Sequence, residues 1–248
     1  EIRKVYATTQ AGSMLVYALN PELLLAWNTA LPPNMEYVFG NKARALPTLG
    51  TWDDVYKTVQ LDEIAALKPD VVIHLAVPDL PTLDLAIQIE EALGIPTVVV
   101  DGSLEAIPSS LRFLSQILGS QVRADALALF AENSLNRLAV MVENLPRDPT
   151  SVYIAGKTNT LDLKTALRLT GVKESPSNFQ ADLVLIAPDP ILDLSRTLLR
   201  DPPPQAEKAI ANGAVYQIPT VPQNWFAAGS LFRLLGIEWL AQTAYPEL

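Results

Sequence analysis

The stretch from Gln121 to Leu145 contains no proline and no glycine, and it constrains the fold more than any other part of the sequence. Apolar residues recur in it at steps of three, four and seven, which is the period of one face of an α-helix. These residues are Leu127, Phe130, Ala131, Leu138, Met141 and Leu145. The pattern predicts one helix of about 23 residues, roughly 35 Å long, within 121–145 and ending before Pro146.

Strand–helix alternation lies on both sides of this helix, and it predicts two lobes, residues 1–120 and 146–248, joined by the helix over 121–145. The alternative is an ordinary long helix inside one domain. Because a continuous helix resists hinging, we expect only modest closure of the two lobes on ligand binding. A small change in the radius of gyration would agree with this, and a large domain closure would refute it.

Composition excludes several classes of function. The 248 residues include no cysteine and one histidine, which excludes disulfides and thiolate metal sites and argues against a histidine cluster for bare zinc or manganese. The net charge is −9 and no basic run occurs, so we expect no nucleic-acid partner.

No apolar run reaches the roughly 18 residues of a membrane span. The start, EIRKVYATTQ, lacks an apolar signal region, so we expect a cytosolic protein or a mature form without its targeting segment.

Short β-branched strands alternate with helices, which predicts an α/β fold with parallel sheets flanked by helices. In the first lobe, strands are predicted at 4–8, 71–75 and 97–100, and helices at 14–19, 61–67, 80–93 and 105–118. In the second lobe, strands are predicted at 151–155, 182–187 and 214–218, and helices at 161–169, 191–199, 207–211 and 230–243. Residues 173–180 are too few for a further helix, so the second lobe is expected to be short.

The segments that leave the strands form the candidate site, because open parallel sheets bind ligands beyond the carboxyl ends of their strands. These segments are 8–13, 75–79, 156–160 and 219–228. Together with Trp27, Asn28 and Trp52, which we expect to line the same side, they carry hydroxyls, amides, one lysine and several aromatic rings, a mixture that suits a bulky ligand with polar edges. The predicted ligand-binding residues are Thr8, Thr9, Gln10, Ser13, Asn28, Trp52, Lys157, Asn159, Trp225 and Phe226.

Catalysis is not indicated by any motif. The sequence has no GxSxG, no P-loop and no GxGxxG, and no pattern places a serine or an aspartate beside His74. We interpret His74 as a strand-end histidine satisfied within the fold. We therefore expect no catalytic residue, no metal site and no cofactor. The alternative, a two-lobed α/β enzyme such as a nucleotide-sugar transferase, would need a phosphate-binding glycine loop or an acidic metal motif.

Four segments, in order, resemble the periplasmic metal-chelate binding proteins of ABC importers, which are of the helical-backbone (class III) type. The first, LPTLGTW at 46–52 with TVQLDEIAALKPDVVI at 58–73, is similar to the family pattern P-x-x-G and N-L-E-x-I-x-x-L-K-P-D-L-V-I. The others are LGIPTVVVDG, then IPSSLRFLSQILGSQVRADAL before the long helix, and finally NGAVYQIP with LLGIEWLAQTAYPE. Near the start, ALNPELLLAWN resembles the iron-complex branch.

The resemblance implies a monomeric solute-binding protein, periplasmic or extracellular and either free or lipid-anchored, that holds its ligand in a cleft between the lobes. It also implies docking on a membrane permease through one surface carboxylate per lobe. The family's first docking glutamate falls on Asp62, with Glu63 beside it. The second normally lies in a helix before the strand at 182–187, where only Glu174 is close.

An iron–siderophore complex is the ligand that we expect first. Cobalamin, haem and an oxyanion such as molybdate or tungstate are alternatives for the same fold. A further alternative is a family member that has lost its ligand and serves as an interaction module, which the short second lobe suggests.

Overall fold

The computed structural model describes residues 1–32, 38–53, 57–145, 148–156, 162–189 and 193–247. The chain divides into two compact units: unit 1 contains Glu1–Glu132 and Gly229–Leu231, and unit 2 contains Asn133–Ala228 and Phe232–Leu248. The division falls inside the long helix. The lobe limits given above, 1–120 and 146–248, stay a prediction.

Unit 1 is built on a parallel sheet whose three strands lie in the order β1-β2-β3. The strands are β1 (Val5–Ala7), β2 (Val71–Ala76) and β3 (Thr97–Asp101). The helices are α1 (Gln10–Leu19), α2 (Asn41–Arg44), α3 (Leu61–Leu67), α4 (Leu80–Leu93) and α5 (Ile107–Leu118). Strand β2 is an apolar run buried over almost its whole length, as expected of a central parallel strand covered on both faces. One core cluster joins the sheet to α3 and α4 through Tyr6, Trp52, Ile64, Val72 and Ile89.

Unit 2 is built on a second parallel sheet, in the order β5-β4-β6-β7. Its strands are β4 (Ser151–Ala155), β5 (Lys173–Glu174), β6 (Leu183–Ile186) and β7 (Val215–Gln217). Its helices are α7 (Leu163–Thr170), α8 (Leu194–Arg200), α9 (Glu207–Ala211) and α10 (Arg233–Ala244). The two-residue β5 was not predicted. Parallel sheets flanked by helices confirm the α/β fold class, and no described helix is both long and apolar enough to cross a membrane.

The long helix is confirmed as α6 (Gln121–Glu143, 23 residues), but of the six periodic apolar residues only Ala131 and Leu138 are buried. Phe130 is 43% exposed, and Leu127 and Met141 are only partly buried. The buried stripe is formed instead by small residues with one leucine: Ala124, Ala128, Ala131, Ser134 and Leu138. Small side chains let a helix approach its neighbours closely, whereas the larger apolar side chains of α6 point more toward solvent. The apolar period alone therefore identified two of the buried positions and missed Ala124, Ala128 and Ser134.

One charged pair fixes α6 within unit 1. Arg112 on α5 donates to both carboxylate oxygens of Glu132, at 2.5 and 3.0 Å. The hydrogen bonds from Arg112 lower the pKa of the Glu132 carboxyl, so both groups are charged at neutral pH. The two-pronged geometry restricts the guanidinium more than a single contact would.

An aspartate closes the amino edge of each sheet. Asp70 precedes β2, and its Oδ2 accepts from the backbone N–H groups of Arg3 and Lys4 at 2.7 and 2.9 Å. Asp182 precedes β6, and its Oδ2 accepts from the backbone N–H and the hydroxyl of Ser151 at 2.9 and 2.8 Å. We call these two arrangements the aspartate clasps. Each satisfies N–H groups at the amino end of the neighbouring strand.

Candidate functional site

In unit 1 the candidate site lies where β1 ends and α1 begins. Helix α1 begins at Gln10, four residues before the start predicted from the sequence. Thr9 is the N-cap, and its hydroxyl accepts from the backbone N–H of Gly12 at 3.2 Å. A Cβ on Gly12 would lie 3.2 Å from the Cβ of Ala7, so the first turn of α1 packs closely on the end of β1. The cap and this close approach explain why polar residues begin a helix here.

Ser13 and Asn28 form a buried network beneath this turn. The Ser13 hydroxyl donates to Asn28 Oδ1 at 2.7 Å, and Asn28 Nδ2 donates to the carbonyls of Ala7 and Gly50, both at 2.9 Å. The Tyr6 hydroxyl also donates to Gly50 O, at 3.0 Å, and burial raises the pKa of this phenol. Both Ser13 and Asn28 are buried, so in this structure their polar atoms join β1, α1 and the segment around Gly50.

Thr8 and His74 form a second buried pair, at the ends of β1 and β2. The Thr8 hydroxyl and His74 Nδ1 are 2.7 Å apart, and both residues are buried. This bond pairs the Nδ1 atom of His74 within the fold, as the interpretation of His74 as an internal histidine expects.

The other predicted residues of unit 1 differ in accessibility. Thr9 and Gln10 are partly buried, and Gln10 Oε1 accepts from the backbone N–H groups of Asn28 and Thr29 at 3.1 and 3.0 Å. Trp52 is 3% exposed and belongs to the core cluster. The exposed Lys57 places its Nζ 4.2 Å from the centroid of the Trp52 ring. Sequence reasoning missed Lys57, since no spacing rule connects a lysine to an aromatic residue five positions earlier.

In unit 2, β4 ends at Ala155 and is followed by Gly156, whose φ is +105°. A Cβ at this position would lie 2.7 Å from Leu194 Cδ1 and 3.2 Å from Ala187 Cβ, so both the backbone angle and the packing favour glycine. The predicted ligand residues Lys157 and Asn159 follow directly but lie outside the described residues. Their role stays a prediction.

Trp225 and Phe226 lie next to each other in the segment after β7 but differ in burial. Trp225 is partly buried, and its indole N–H donates to the carbonyl of Val221 at 2.9 Å. Phe226 is fully buried, and its ring centroid is 6.1 Å from that of Trp239. Packing against Gly236 is tight, because a Cβ there would lie 2.7 Å from the carbonyl oxygen of Trp225. Phe226 therefore belongs to the core of unit 2, and Trp225 is the more accessible of the two.

A buried ion pair holds this segment to the start of α7. Arg233 Nη1 donates to Asp162 Oδ2 at 2.5 Å, and the Arg233 side chain is 2% exposed. The backbone N–H of Asp162 donates to the carbonyl of Phe226 at 2.8 Å. Sequence reasoning missed this pair, because Asp162 and Arg233 are 71 residues apart in the chain and no local pattern connects them.

The predicted docking carboxylates are accessible. Asp62 and Glu63 are exposed in the first turn of α3. In unit 2, Glu174 is exposed on β5, and the described residues from 175 to 182 contain no helix. Whether these carboxylates bind a partner stays a prediction.

These residues offer hydroxyls, amides and aromatic surface. Among the described residues, no three histidine, cysteine, aspartate or glutamate side chains lie close enough together to hold a metal ion. The described arrangement is suited to non-covalent binding of a ligand with polar and apolar parts.

No known family profile matches the sequence, and no curated protein matches it. Solved structures match it over its whole length. An ABC-transporter solute-binding protein from Sulfurospirillum deleyianum is 25% identical with a TM-score of 0.85, covering 100% of this chain and 84% of that one. A periplasmic haem-binding protein from Pseudomonas aeruginosa is 23% identical with a TM-score of 0.70, covering 100% and 94%.

A molybdate-binding periplasmic protein of an ABC transporter from Haemophilus influenzae, solved with molybdate, is 15% identical with a TM-score of 0.71, covering 100% and 87%. The structural neighbours are therefore class III periplasmic binding proteins, the type that the sequence resembles. They are transport proteins and not enzymes.

Proposed function

From the fold of class III periplasmic binding proteins, we propose that this chain is an extracytoplasmic solute-binding protein that captures a metal chelate and delivers it to an ABC importer. The observation that carries the proposal is the match of the whole chain to a solute-binding protein at 25% identity and a TM-score of 0.85. Both units and the helix that continues from one into the other are included in that match.

An iron–siderophore complex is the proposed ligand. A chelate brings the metal's ligands with it, so the protein needs polar and aromatic contacts and not its own metal-binding cluster. Two observations support this choice: His74 is buried with its Nδ1 bonded to Thr8, and the sequence has no other histidine. Of the predicted contacts, Thr9, Gln10 and Trp225 keep accessible surface in the described structure.

An oxyanion is the second candidate. Helix α1 begins at the carboxyl edge of the unit 1 sheet, and the first turn of a helix favours an anion through its N–H groups and dipole. The neighbour solved with molybdate has the same fold. A complex with molybdate would lack the visible absorption band of a coloured chelate, so an absorbance spectrum distinguishes the two candidates.

The proposed partner is the importer's membrane permease, which Asp62 and Glu63 would contact from unit 1 and Glu174 from unit 2. The exposure of all three carboxylates supports this. We propose a monomer that works in the periplasm or outside the cell, either free or held by a lipid anchor.

Native mass spectrometry of protein purified from its own host, with an absorbance spectrum, tests the ligand class. A bound mass with a visible band supports a chelate and separates siderophore, corrin and haem by mass and spectrum. For apo protein, a panel of ferric siderophores, haem, cobalamin, molybdate and tungstate is added in a thermal-shift assay. A ligand at about 100 times its Kd stabilises the folded state by roughly 2.7 kcal/mol.

A matched pair of variants connects binding to the site. Trp225→Ala should weaken binding of the ligand found in the panel by roughly tenfold, since stacking of a flat ring on an aromatic side chain contributes about 1–3 kcal/mol. Trp225→Phe keeps an aromatic ring and should retain most of the binding affinity. Tyr216→Ala, at an aromatic residue of β7 that is 36% exposed, is the control and should leave binding unchanged. Folded protein that no panel member stabilises would overturn the proposal.

A further inference from the structure

Gln10, the first residue of α1, uses only one end of its side-chain amide within the fold. Its Oε1 accepts from the backbone N–H groups of Asn28 and Thr29, at 3.1 and 3.0 Å. Among the residues that the structure describes, none accepts a hydrogen bond from its Nε2. Gln10 is partly buried, so its amide is held in place while part of the side chain remains accessible.

The two backbone N–H groups determine which way the Gln10 amide faces. A glutamine amide has one acceptor oxygen and an NH₂ group that only donates. The reverse orientation would place this NH₂ group against the N–H groups of Asn28 and Thr29, and both hydrogen bonds would be lost. The amide nitrogen of Gln10 therefore points away from the backbone of residues 28 and 29, with its hydrogens available to another acceptor.

Neighbouring polar side chains of the candidate site are instead used by the fold. The Thr8 hydroxyl is 2.7 Å from His74 Nδ1, and the Ser13 hydroxyl donates to Asn28 Oδ1. The amide nitrogen of Asn28 donates to two backbone carbonyls. An N–H group without a protein acceptor needs an oxygen from water or from a ligand. The Gln10 amide therefore differs from these side chains in having its donor end left for such an oxygen.

The backbone around Gln10 is fixed by close packing. Strand β1 ends at Ala7 and α1 begins at Gln10, so this residue lies beyond the carboxyl end of its strand, where parallel sheets bind ligands. A Cβ on Gly12 would lie 3.2 Å from Ala7 Cβ, so the first turn of α1 is held against the strand end. A donor that is already fixed loses less conformational entropy when a ligand binds than a mobile one does.

We propose that Gln10 determines specificity by donating from Nε2 to an anionic oxygen of the ligand. The inference rests on the proposed function and names the chemical class of its ligand. Oxygens of carboxylates, catecholates and tetrahedral oxyanions accept without carrying a hydrogen, and a hydrogen bond to a charged acceptor is stronger than one to a neutral acceptor. An ammonium group offers donors only and cannot pair with this amide nitrogen. The chain therefore selects acidic chelates or oxyanions over chelates that present an ammonium group.

Replacing Gln10 by glutamate separates the two ends of the amide. In Gln10→Glu a carboxylate oxygen can still accept from Asn28 and Thr29, so the thermal midpoint of the ligand-free protein should stay the same or rise. The donor, however, is replaced by a negatively charged oxygen. Gln88→Glu makes the same change at an exposed position of α4 and is the control. Isothermal titration calorimetry measures Kd for molybdate, an anionic ferric tris-catecholate and a ferric trihydroxamate with a free ammonium group.

We expect molybdate or the tris-catecholate to bind, with a Kd that rises by roughly a hundredfold in Gln10→Glu and is unchanged in Gln88→Glu. Gln10→Met removes the donor without adding charge and should raise Kd by roughly tenfold; it decides the matter if Gln10→Glu fails to fold. An unchanged Kd, or binding of the ammonium-bearing chelate alone, would overturn the inference and leave the proposed function standing. Binding of none of the probes or panel members by the original protein would count against both.

Nuclear magnetic resonance gives a direct result on the unsubstituted protein. In a nitrogen–proton correlation spectrum, the side-chain NH₂ resonances of Gln10 are identified by their absence from the spectrum of Gln10→Glu, and those of Gln88 in the same way. The probe is molybdate or the gallium(III) complex of the tris-catecholate, since gallium avoids the paramagnetism of iron. Saturation with the probe should shift the Gln10 resonances and leave those of Gln88 in place. Gln10 resonances that do not move in the saturated protein would overturn the inference.

Discussion

Replacing Asn28 by alanine tests whether this predicted ligand residue stabilises unit 1 or contacts the ligand. Asn28 is 3% exposed, and its side chain makes three short hydrogen bonds, from Ser13 at 2.7 Å and to Ala7 O and Gly50 O, both at 2.9 Å, and a longer one of 3.5 Å to the Tyr6 hydroxyl. A buried hydrogen bond contributes about 1 kcal/mol net, so losing all three should lower the free energy of unfolding of unit 1 by about 3 kcal/mol.

Two further variants allow the losses of stability to be ranked. Ser13→Ala removes one of the three bonds and should cost about 1 kcal/mol. Asn28→Asp keeps the acceptor for Ser13 but replaces the amide donor by a carboxylate oxygen that faces two carbonyl oxygens. Because a buried charge without donors is costly, this variant should lose about 4 kcal/mol or more. The expected order of destabilisation is Asn28→Asp, then Asn28→Ala, then Ser13→Ala.

Urea denaturation followed by tryptophan fluorescence measures these losses. In a background with Trp225→Phe and Trp239→Phe, the signal comes from Trp27 and Trp52, which both belong to unit 1. At a slope of about 2 kcal/mol per molar urea, a loss of 3 kcal/mol lowers the midpoint by roughly 1.5 M. A decrease of less than about 0.5 M in Asn28→Ala, combined with loss of ligand binding, would refute the reasoning and make Asn28 a ligand contact.

The other predictions concern the clasps, one glycine and one lysine. Hydrogen bonds from Arg3 and Lys4 lower the pKa of Asp70 below its ordinary 3.8; for Asp182, burial opposes this, but bonds from Lys208 and Ser151 still lower the pKa below 3.8. Each clasp therefore contributes its full stabilisation above about pH 3.8. This contribution is lost as the pH falls through the folded-state pKa of the aspartate. Asp70→Asn and Asp182→Asn should lower stability at neutral pH and reduce its acid dependence, measured by urea denaturation across pH. Gly156→Ala should destabilise unit 2 by about 1–3 kcal/mol because of its positive φ and close packing, whereas Gly40→Ala, with open space around its Cβ, should change the thermal midpoint little. Lys57→Gln should cost about 0.5–1 kcal/mol by removing the cation from the Trp52 ring, and an unchanged urea midpoint would contradict this.

Most of the secondary structure could be predicted because its signals are local. Helix α4 has Asp79 as its N-cap and Gly94 after its last turn, and its predicted bounds, 80–93, agree with the structure. Strand β4, at 151–155, and helix α9, at 207–211, agree equally well. In each case a cap, a glycine or a β-branched run marks the end of the element within the sequence itself.

The start of α1 and the buried face of α6 could not be predicted in the same way. Gln10, Ala11 and Gly12 contain little apolar surface, so a search for apolar periods passes over a turn that Thr9 caps. In α6 the closest packing uses Ala124, Ala128 and Ser134, which a search for large apolar residues ignores. Both outcomes depend on tertiary packing, which decides where a weak local signal becomes a helix and which side of it is buried.

The binding role of the candidate site stays a prediction, but the structure shows which of its polar groups the fold uses. The rule for parallel sheets points to the strand ends, where Thr8 is bonded to His74 and Ser13 to Asn28. It cannot tell which polar groups the fold itself uses. Buried polar groups are hydrogen-bonded within the protein. A strand end with several hydroxyls and amides therefore uses some of them for hydrogen bonds within the fold, and these are not available to a ligand.

The two aspartate clasps stabilise the amino edge of each sheet. Asp70 stands directly before β2, and Asp182 directly before β6, so PDVVIHL and ADLVLIA have the same arrangement. In both units the carboxylate accepts N–H groups at the amino end of the adjacent strand, on the edge opposite the predicted ligand residues. The clasps bond residues within their own units at the amino edges, whereas the predicted ligand residues lie at the carboxyl edges. Substitution at a clasp should therefore change the stability of one unit and leave the choice of ligand unchanged, whereas substitution of Trp225 should change ligand binding.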